Sequence, residues 1–157
     1  MNVKYINPFI ESVCAVFETM LNISPKRERV RIAQEPKETD PRMLTSIVGI
    51  SGGASGVVAL RFPMETALQL AGRFLGTHYT ESNDEVIDAI SELANMVAGS
   101  AKAKFELSPA PQLGLPSVIE GRGYKVRYPA KAAWLEVPFT SSAGDFAMEV
   151  TFSEDLK

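Results

Sequence analysis

Residues 82–101 read SNDEVIDAISELANMVAGSA, and the apolar spacing in this stretch predicts a long helix with one buried side. Apolar residues recur every three or four positions, at Val86, Ile90, Leu93, Val97 and Ala101. On a helix these positions share one face. That face has to lie against another element, so the stretch predicts a layered fold.

A second line of residues runs along the opposite side of this helix: Asp88, Glu92, Asn95 and Gly99. At about 100° per residue the two lines point roughly 190° apart, so burying the apolar line turns Glu92 and Asn95 outward. The pair is the only Glu-x-x-Asn in the sequence. It places a carboxylate beside a carboxamide, in a position to meet a partner.

The polar line also has a plain interpretation, because charged and amide residues opposite an apolar stripe are usual on a surface helix. Gly99 weakens that interpretation, since glycine inside a helix costs about 1 kcal/mol relative to alanine. A small residue there leaves room for another backbone.

Length and composition predict one soluble domain over residues 1–157, with 45% hydrophobic and 22% charged residues. No segment has the apolar length of a membrane span, and the first residues lack the features of a signal peptide. We therefore expect a cytoplasmic protein. The net charge of −3 argues against nucleic acid as a partner.

Cys14 and His78 are the only cysteine and the only histidine, which excludes an internal disulfide and His-His or His-Cys metal sites. We interpret Cys14 as a small buried hydrophobic residue and His78 as a surface residue. No metal site is predicted.

Two helices are predicted before the one already described. The first runs from Asn7 to Leu21, with Asn7 as its cap and Asn22 as a left-handed stop. The second runs over 65–75 and stops at Gly76. For the third helix, residues 82–85 match a capping box.

Strands are predicted from alternating or continuous apolar runs. They cover the region near 29–34, a hairpin of 44–50 and 56–62 around a glycine-rich turn, and 117–119, 124–128, 132–137 and 146–152. Together these elements predict an α+β fold, a mostly antiparallel sheet with about three helices packed on one face.

The pattern Asp88-x-x-x-Glu92-x-x-Asn95, followed later by Pro116, resembles the signature of the CheC, CheX and FliY phosphatases of bacterial chemotaxis. Further stretches that look like CheX occur in the same order along most of the chain. They are the opening helix 7–21 and residues 49–53, 65–68, 91–96 and 115–119 with Gly121.

The resemblance implies a CheC/CheX-like fold and hydrolysis of the phospho-aspartate on CheY, the response regulator that reverses or slows the flagellar motor. In that family the acid and amide of the helix enter the partner's active site. Carried over here, Asn95 would hold the attacking water in line with phosphorus, and Glu92 would pair with the partner's active-site lysine. The receiver domain would supply the aspartate and its Mg²⁺, which implies no cofactor for this chain.

The resemblance also implies a partner-binding surface made by Asp88, Ser91, Met96 and Gly99, and a homodimer. Pro116 is expected to be structural. CheC-type proteins carry a second motif in their first helix. Here the comparable residues 11–14 end in Cys14 instead of an amide, so one site per chain is expected.

Two other functions are compatible with the predicted fold. One is a CheX-like module that docks on a receiver domain, either CheY or another, without hydrolysing its phosphate. The other is a flagellar-rotor component related to the middle domain of the switch protein FliM, which lacks the paired motif. Retention of both Glu92 and Asn95 favours the enzyme.

Overall fold

The computed structural model describes residues 6–52, 54–105, 110–126 and 134–154. Within these ranges the chain forms three helices and one antiparallel sheet of eight strands. The helices are α1 (Asn7–Leu21), α2 (Met64–Leu75) and α3 (Asp84–Lys102). The strands are β1 (Lys26–Arg27), β2 (Arg31–Ile32), β3 (Met43–Ser51), β4 (Ala54–Pro63), β5 (Gln112–Leu113), β6 (Ser117–Gly121), β7 (Leu135–Thr140) and β8 (Phe146–Glu154). The predicted α+β class is confirmed.

The sheet is built around the predicted hairpin. Its order is β1-β7-β8-β4-β3-β5, with β2 also paired to β7 and β6 also paired to β3. In the hairpin, Leu44 lies opposite Phe62 and Ile50 lies opposite Gly56. Gly52 turns the chain with a φ of 103°, a conformation that favours glycine. A Cβ at Gly56 would collide with the Thr151 carbonyl oxygen, so β4 and β8 need a glycine there to pair this closely.

The three helices pack on one face of the sheet, as predicted, and share one hydrophobic core with it. Phenylalanine rings join the layers: Phe17 of α1 stacks on Phe146 of β8 at 5.1 Å, and Phe62 of β4 lies 5.3 Å from the same ring. No helix in the described ranges is both long and apolar enough to cross a membrane.

The ends of α1 and α2 agree with the predicted ones, but the predicted start of α1 does not. Asn22 and Gly76 end α1 and α2 in the left-handed conformation, with φ of 54° and 70°. Asn7, however, is not the cap: it is the first helical residue, and Ile6 precedes it without a side-chain cap bond. Ile6 is buried, and its carbonyl accepts hydrogen bonds from the backbone N–H groups of Phe9 and Ile10. Burial therefore positions the helix start, not a polar cap.

Three predicted strands differ from the structure. Predicted strand 132–137 is observed as β7, Leu135–Thr140, which begins and ends three residues later. The region near 29–34 contains only the two-residue β2, and β1 precedes it. Both short strands lie exposed at the edge of the sheet, where they pair with β7 alone among the described strands. Residues 124–126 are not in a strand, since the Tyr124 side chain instead turns onto the sheet and its hydroxyl contacts Thr45 Oγ1. The remainder of predicted strand 124–128, and residues 132–133, lie outside the described residues.

Strand β8 alternates as predicted. Phe146, Met148, Val150 and Phe152 face the helices. Glu149 and Thr151 point to the opposite face by the strand period, and they are buried too. The centre of the sheet is therefore shielded from solvent on the face without helices as well.

Candidate functional site

Helix α3 is anchored by its apolar line. Val86, Ile90, Leu93, Val97 and Ala101 are all within 1% of complete burial. They face α1, α2 and the strands β3 to β6. Fully burying one large apolar side chain contributes about 1.5–3 kcal/mol. Rotating this helix about its axis would lose several such contributions, so its orientation is strongly determined.

The start of α3 is fixed by Asn83. Its Oδ1 accepts a hydrogen bond of 3.0 Å from the backbone N–H of Val86. Asp84 and Glu85 then place negative charge in the first turn, where the helix dipole favours it. The predicted capping box is therefore wrong by one residue. Ser82 is not the cap: its buried hydroxyl has no hydrogen-bond partner among the described residues, and Glu85, the residue that would complete the box, accepts a hydrogen bond from the Tyr79 hydroxyl.

The opposite line of α3 is exposed over its whole length. Asp88, Glu92, Asn95 and Gly99 are all solvent-exposed. The exposure expected from helical spacing is thus observed, while the roles assigned to these residues stay predictions.

The side chains of Glu92 and Asn95 are not engaged by the rest of the described chain. Within the described ranges neither makes a hydrogen bond or an ion pair with another side chain. A carboxylate is an acceptor only, whereas a carboxamide both donates and accepts. Three residues apart on one face, they can engage a cation and a water molecule on the same partner.

The four residues expected to contact a partner differ in solvent exposure. Asp88 and Gly99 are exposed, and a Cβ at Gly99 would meet nothing within 4 Å. Ser91 is half-buried. Met96 is also half-buried and packs against the hydrophobic core, so only part of its side chain is accessible.

Pro116 lies in the connection between β5 and β6, near α3 in the fold. The preceding turn is fastened to the hairpin, since the Gly114 N–H donates a 2.9 Å hydrogen bond to the Gly49 carbonyl. Pro116 itself is half-buried, while Leu115 beside it is 92% exposed.

A groove beside the α3 line was not predicted from the sequence. We call it the α2–α3 groove, and it is lined by Phe74, Leu75, Thr77, Tyr79, Glu85, Asp88 and Ala89. Tyr79 Oη donates a hydrogen bond of 2.7 Å to Glu85 Oε2, and this bond raises the pKa of the Tyr79 hydroxyl. Residues 76–80 have no periodicity that would have placed Tyr79 against α3.

A buried polar cluster on the far side of the sheet was also missed. Arg61 Nη1 of β4 lies 2.7 Å from Glu149 Oε1 of β8, and the Tyr124 ring lies 5.9 Å from the guanidinium. Burial works to lower the pKa of Arg61, but the hydrogen bond and the charge of Glu149 outweigh it and raise the pKa. Only the β4–β8 pairing could have revealed this pair.

The positions of α1 that correspond to a second motif do not resemble the α3 site. Glu11 Oε2 lies 3.3 Å from Lys104 Nζ. Cys14 is half-buried against the core, its Sγ lies 3.8 Å from the Pro25 carbonyl oxygen, and burial raises the pKa of its thiol. His78 is exposed, as predicted. Among the described residues, no group of three His, Cys, Asp or Glu could hold a metal ion.

Comparison with known proteins identifies the family. The model of the family described as chemotaxis phosphatase CheX matches residues 44–140, more than half of the chain. The CheY-P phosphatase CheX of Thermotoga maritima is 30% identical over 129 residues, which cover 81% of this chain and 82% of that protein.

Solved structures agree on the fold. The CheC-like superfamily protein of Shewanella sp. PV-4 is 26% identical, with a TM-score of 0.85 over 98% of this chain and 99% of that one. The CheX-CheY-BeF3-Mg²⁺ complex of Borrelia burgdorferi contains a chain 21% identical, with a TM-score of 0.73 over 97% of this chain and 98% of that one. At that identity the likeness shows the fold alone. The family model and the Thermotoga maritima relative together establish that this chain belongs to the chemotaxis phosphatase CheX family.

Proposed function

We propose that this chain is a phosphatase that hydrolyses the aspartyl phosphate of a receiver domain, with CheY as the first candidate. The observation that carries the proposal is the pair Glu92 and Asn95, side by side on the exposed line of α3 and unengaged within the described chain. A relative named CheY-P phosphatase and a CheX structure in complex with CheY support the choice of partner.

The chemistry asks little of the enzyme beyond positioning. An aspartyl phosphate is an activated acyl phosphate. The water oxygen bonds to phosphorus as the bond between phosphorus and the aspartate oxygen breaks, releasing inorganic phosphate and a free carboxylate. The Asn95 carboxamide accepts a hydrogen bond from that water and holds it in line with the breaking bond. Converting a loosely held water into an oriented one supplies the rate enhancement.

Glu92 has a different role in this proposal. Its carboxylate pairs with the active-site lysine of the receiver. This pairing places the ends of the exposed α3 side chains over the phosphoryl group. The Mg²⁺ belongs to the receiver domain, as a complex containing CheY, BeF3 and Mg²⁺ suggests. The chain itself then contributes orientation and no cofactor.

The surrounding residues complete the contact. Asp88 braces the approach of the receiver, and Ser91, Met96 and Gly99 line the surface that it covers. Exposure of Asp88 and Gly99 supports this assignment, while Met96 contributes only the part of its side chain that the core leaves free.

We further propose a homodimer and a cytoplasmic location, with residues 1–157 acting as a single domain that binds neither nucleic acid nor membrane. The net charge of −3 supports the statement on nucleic acid. An unpaired sheet edge at β6, within the described strands, supports the dimer.

The test is the decay of CheY labelled by acetyl phosphate, with Mg²⁺, in the presence of this chain. We expect faster decay with the unsubstituted protein. Asn95→Ala should lower the rate about a hundredfold or more, the size of effect seen when a preorganised group that acts in the transition state is removed. Glu92→Ala should lower it too, mainly through weaker engagement of the receiver lysine.

Matched controls are available on the neighbouring helix. Gln69→Ala and Glu65→Ala remove an exposed amide and an exposed carboxylate from α2, and both should leave the rate unchanged. Binding of the receiver without faster decay would favour the docking module. Absence of both binding and decay, together with copurification of rotor proteins, would favour the switch-related domain.

A further inference from the structure

The α2–α3 groove is a concavity of about 450 Å³ beside the candidate catalytic line. Its walls come from the end of α2, the loop that follows, and the first turns of α3. The Tyr79–Glu85 hydrogen bond of 2.7 Å ties the loop to α3 and holds one wall in place. The groove is thus formed without a partner.

One part of the groove is apolar. Leu75, the last residue of α2, is 45% exposed, and the half-buried Phe74 packs beside it against the core. A single exposed leucine is ordinary. Here it lies next to an aromatic ring in a concavity, so a partner's apolar side chain could bury it.

The other part of the groove is acidic. Glu85 and Asp88 both line it, and none of the described lysine or arginine residues does. Glu85 shares one carboxylate oxygen with Tyr79, while the Asp88 side chain makes no hydrogen bond or ion pair among the described residues. The rim therefore favours a cation next to the apolar group.

Asp88 connects the groove to the proposed catalytic pair. It belongs to the groove lining and to the exposed line, one helical turn before Glu92. At about 1.5 Å per residue, Asp88 and Asn95 are separated by about 10 Å along the helix. A standard interface covers about 800 Å² on each partner, so a receiver seated on Glu92 and Asn95 also covers the groove.

A cleft of about 400 Å³ on the far side of the sheet is a weaker candidate. It contains Arg31 and Arg61, but Glu136 and Glu149 already pair with them at 3.0 and 2.7 Å. Arg31 and Arg61 are therefore already paired and are not available to an anionic ligand.

We propose that the α2–α3 groove receives an apolar side chain of the receiver domain with a lysine or arginine beside it, and so selects which receiver is dephosphorylated. The proposal rests on the function proposed above. Leu75 and Phe74 would contact the apolar group, and Asp88 the cation. The groove determines affinity and leaves the chemistry to Glu92 and Asn95.

The test separates affinity from chemistry. Dephosphorylation by Leu75→Asp is measured over a range of phosphorylated CheY concentrations. We expect KM to rise about tenfold or more with kcat unchanged, because a buried apolar anchor is lost from the interface. Asp88→Lys should also raise KM. Asn95→Ala provides the opposite pattern: kcat falls while binding of BeF3-activated CheY persists.

Ile32→Asp is the matched control, since Ile32 is 65% exposed and lies on β2, at the edge of the sheet away from α3. Its KM and kcat should equal those of the unsubstituted chain. A normal KM for Leu75→Asp in a working phosphatase would overturn the groove proposal alone, as would a fall in kcat without a change in KM. If the unsubstituted chain neither binds nor dephosphorylates CheY or other receivers, both proposals are overturned.

Discussion

Gly99 is a residue that the fold of the chain does not itself require. It lies inside α3 with φ in the ordinary range, and a Cβ there would meet no atom of the described residues within 4 Å. Gly99→Ala should therefore raise the free energy of unfolding by about 1 kcal/mol, the usual difference between these residues in a helix. Urea unfolding followed by circular dichroism measures this.

The same substitution should weaken the receiver contact. An added methyl group at a packed interface costs about 1–3 kcal/mol, so KM should rise about fivefold or more. Gly72→Ala should instead lower the free energy of unfolding, because its Cβ would lie 2.7 Å from the Thr77 carbonyl oxygen. A more stable Gly99→Ala with an unchanged KM would show that the receiver does not reach this position.

Single positions on α3 show what could be predicted from the sequence. The exposure of Glu92 and Asn95 depends only on the helical period, which is visible in the spacing of Val86, Ile90 and Leu93. The cap could not be chosen this way, because Ser82 and Asn83 are adjacent and both suit it. In the structure Asn83 is the cap, and Glu85 is engaged by Tyr79 from a loop without periodicity.

Between strands, Arg61 and Glu149 form a mostly buried ion pair on the far face of the sheet. Their side chains are only 17% and 9% exposed. Arg61→Ala leaves a mostly buried carboxylate without its cation, which should lower the free energy of unfolding by about 2–3 kcal/mol, somewhat less than for a fully buried pair. Urea unfolding of Arg61→Ala and of the unsubstituted chain measures this difference.

The double variant Arg61→Met with Glu149→Leu should recover most of that loss, because no unpaired charge remains. Phosphatase activity of the folded variants should stay normal, since the pair lies across the sheet from α3. A loss below half a kcal/mol for Arg61→Ala, on the scale of an exposed pair, would show that water reaches Glu149 freely.

Elements differ in how far local sequence determines them. The β3–β4 hairpin was predicted because both strands and their glycine turn are contiguous. Tyr124 was assigned to a strand because its neighbourhood alternates, yet it covers Thr45, which is distant in the sequence. That contact could not be inferred without knowing that β6 pairs with β3 and brings the following residues over the sheet.

At the scale of the molecule, the two edges of the sheet differ in character. One edge carries β1 and β2, whose exposed residues include Lys26, Arg27 and Arg31. Such charges discourage pairing with another strand. The other edge carries β6, where Ile119 is 39% exposed and Leu115 just before the strand is 92% exposed. The proposed homodimer should therefore form through β6, related by a two-fold axis.

Ile119→Lys tests this arrangement, because a charge on an edge strand opposes pairing with its own copy. Light scattering at micromolar concentration should give the mass of a dimer for the unsubstituted chain and of a monomer for Ile119→Lys. Ile32→Lys places the same charge on the opposite edge and should remain dimeric. A monomeric unsubstituted chain would contradict the dimer itself. If Ile119→Lys is still a dimer, the β6 edge does not hold the two copies together, and the dimer contact lies on another surface.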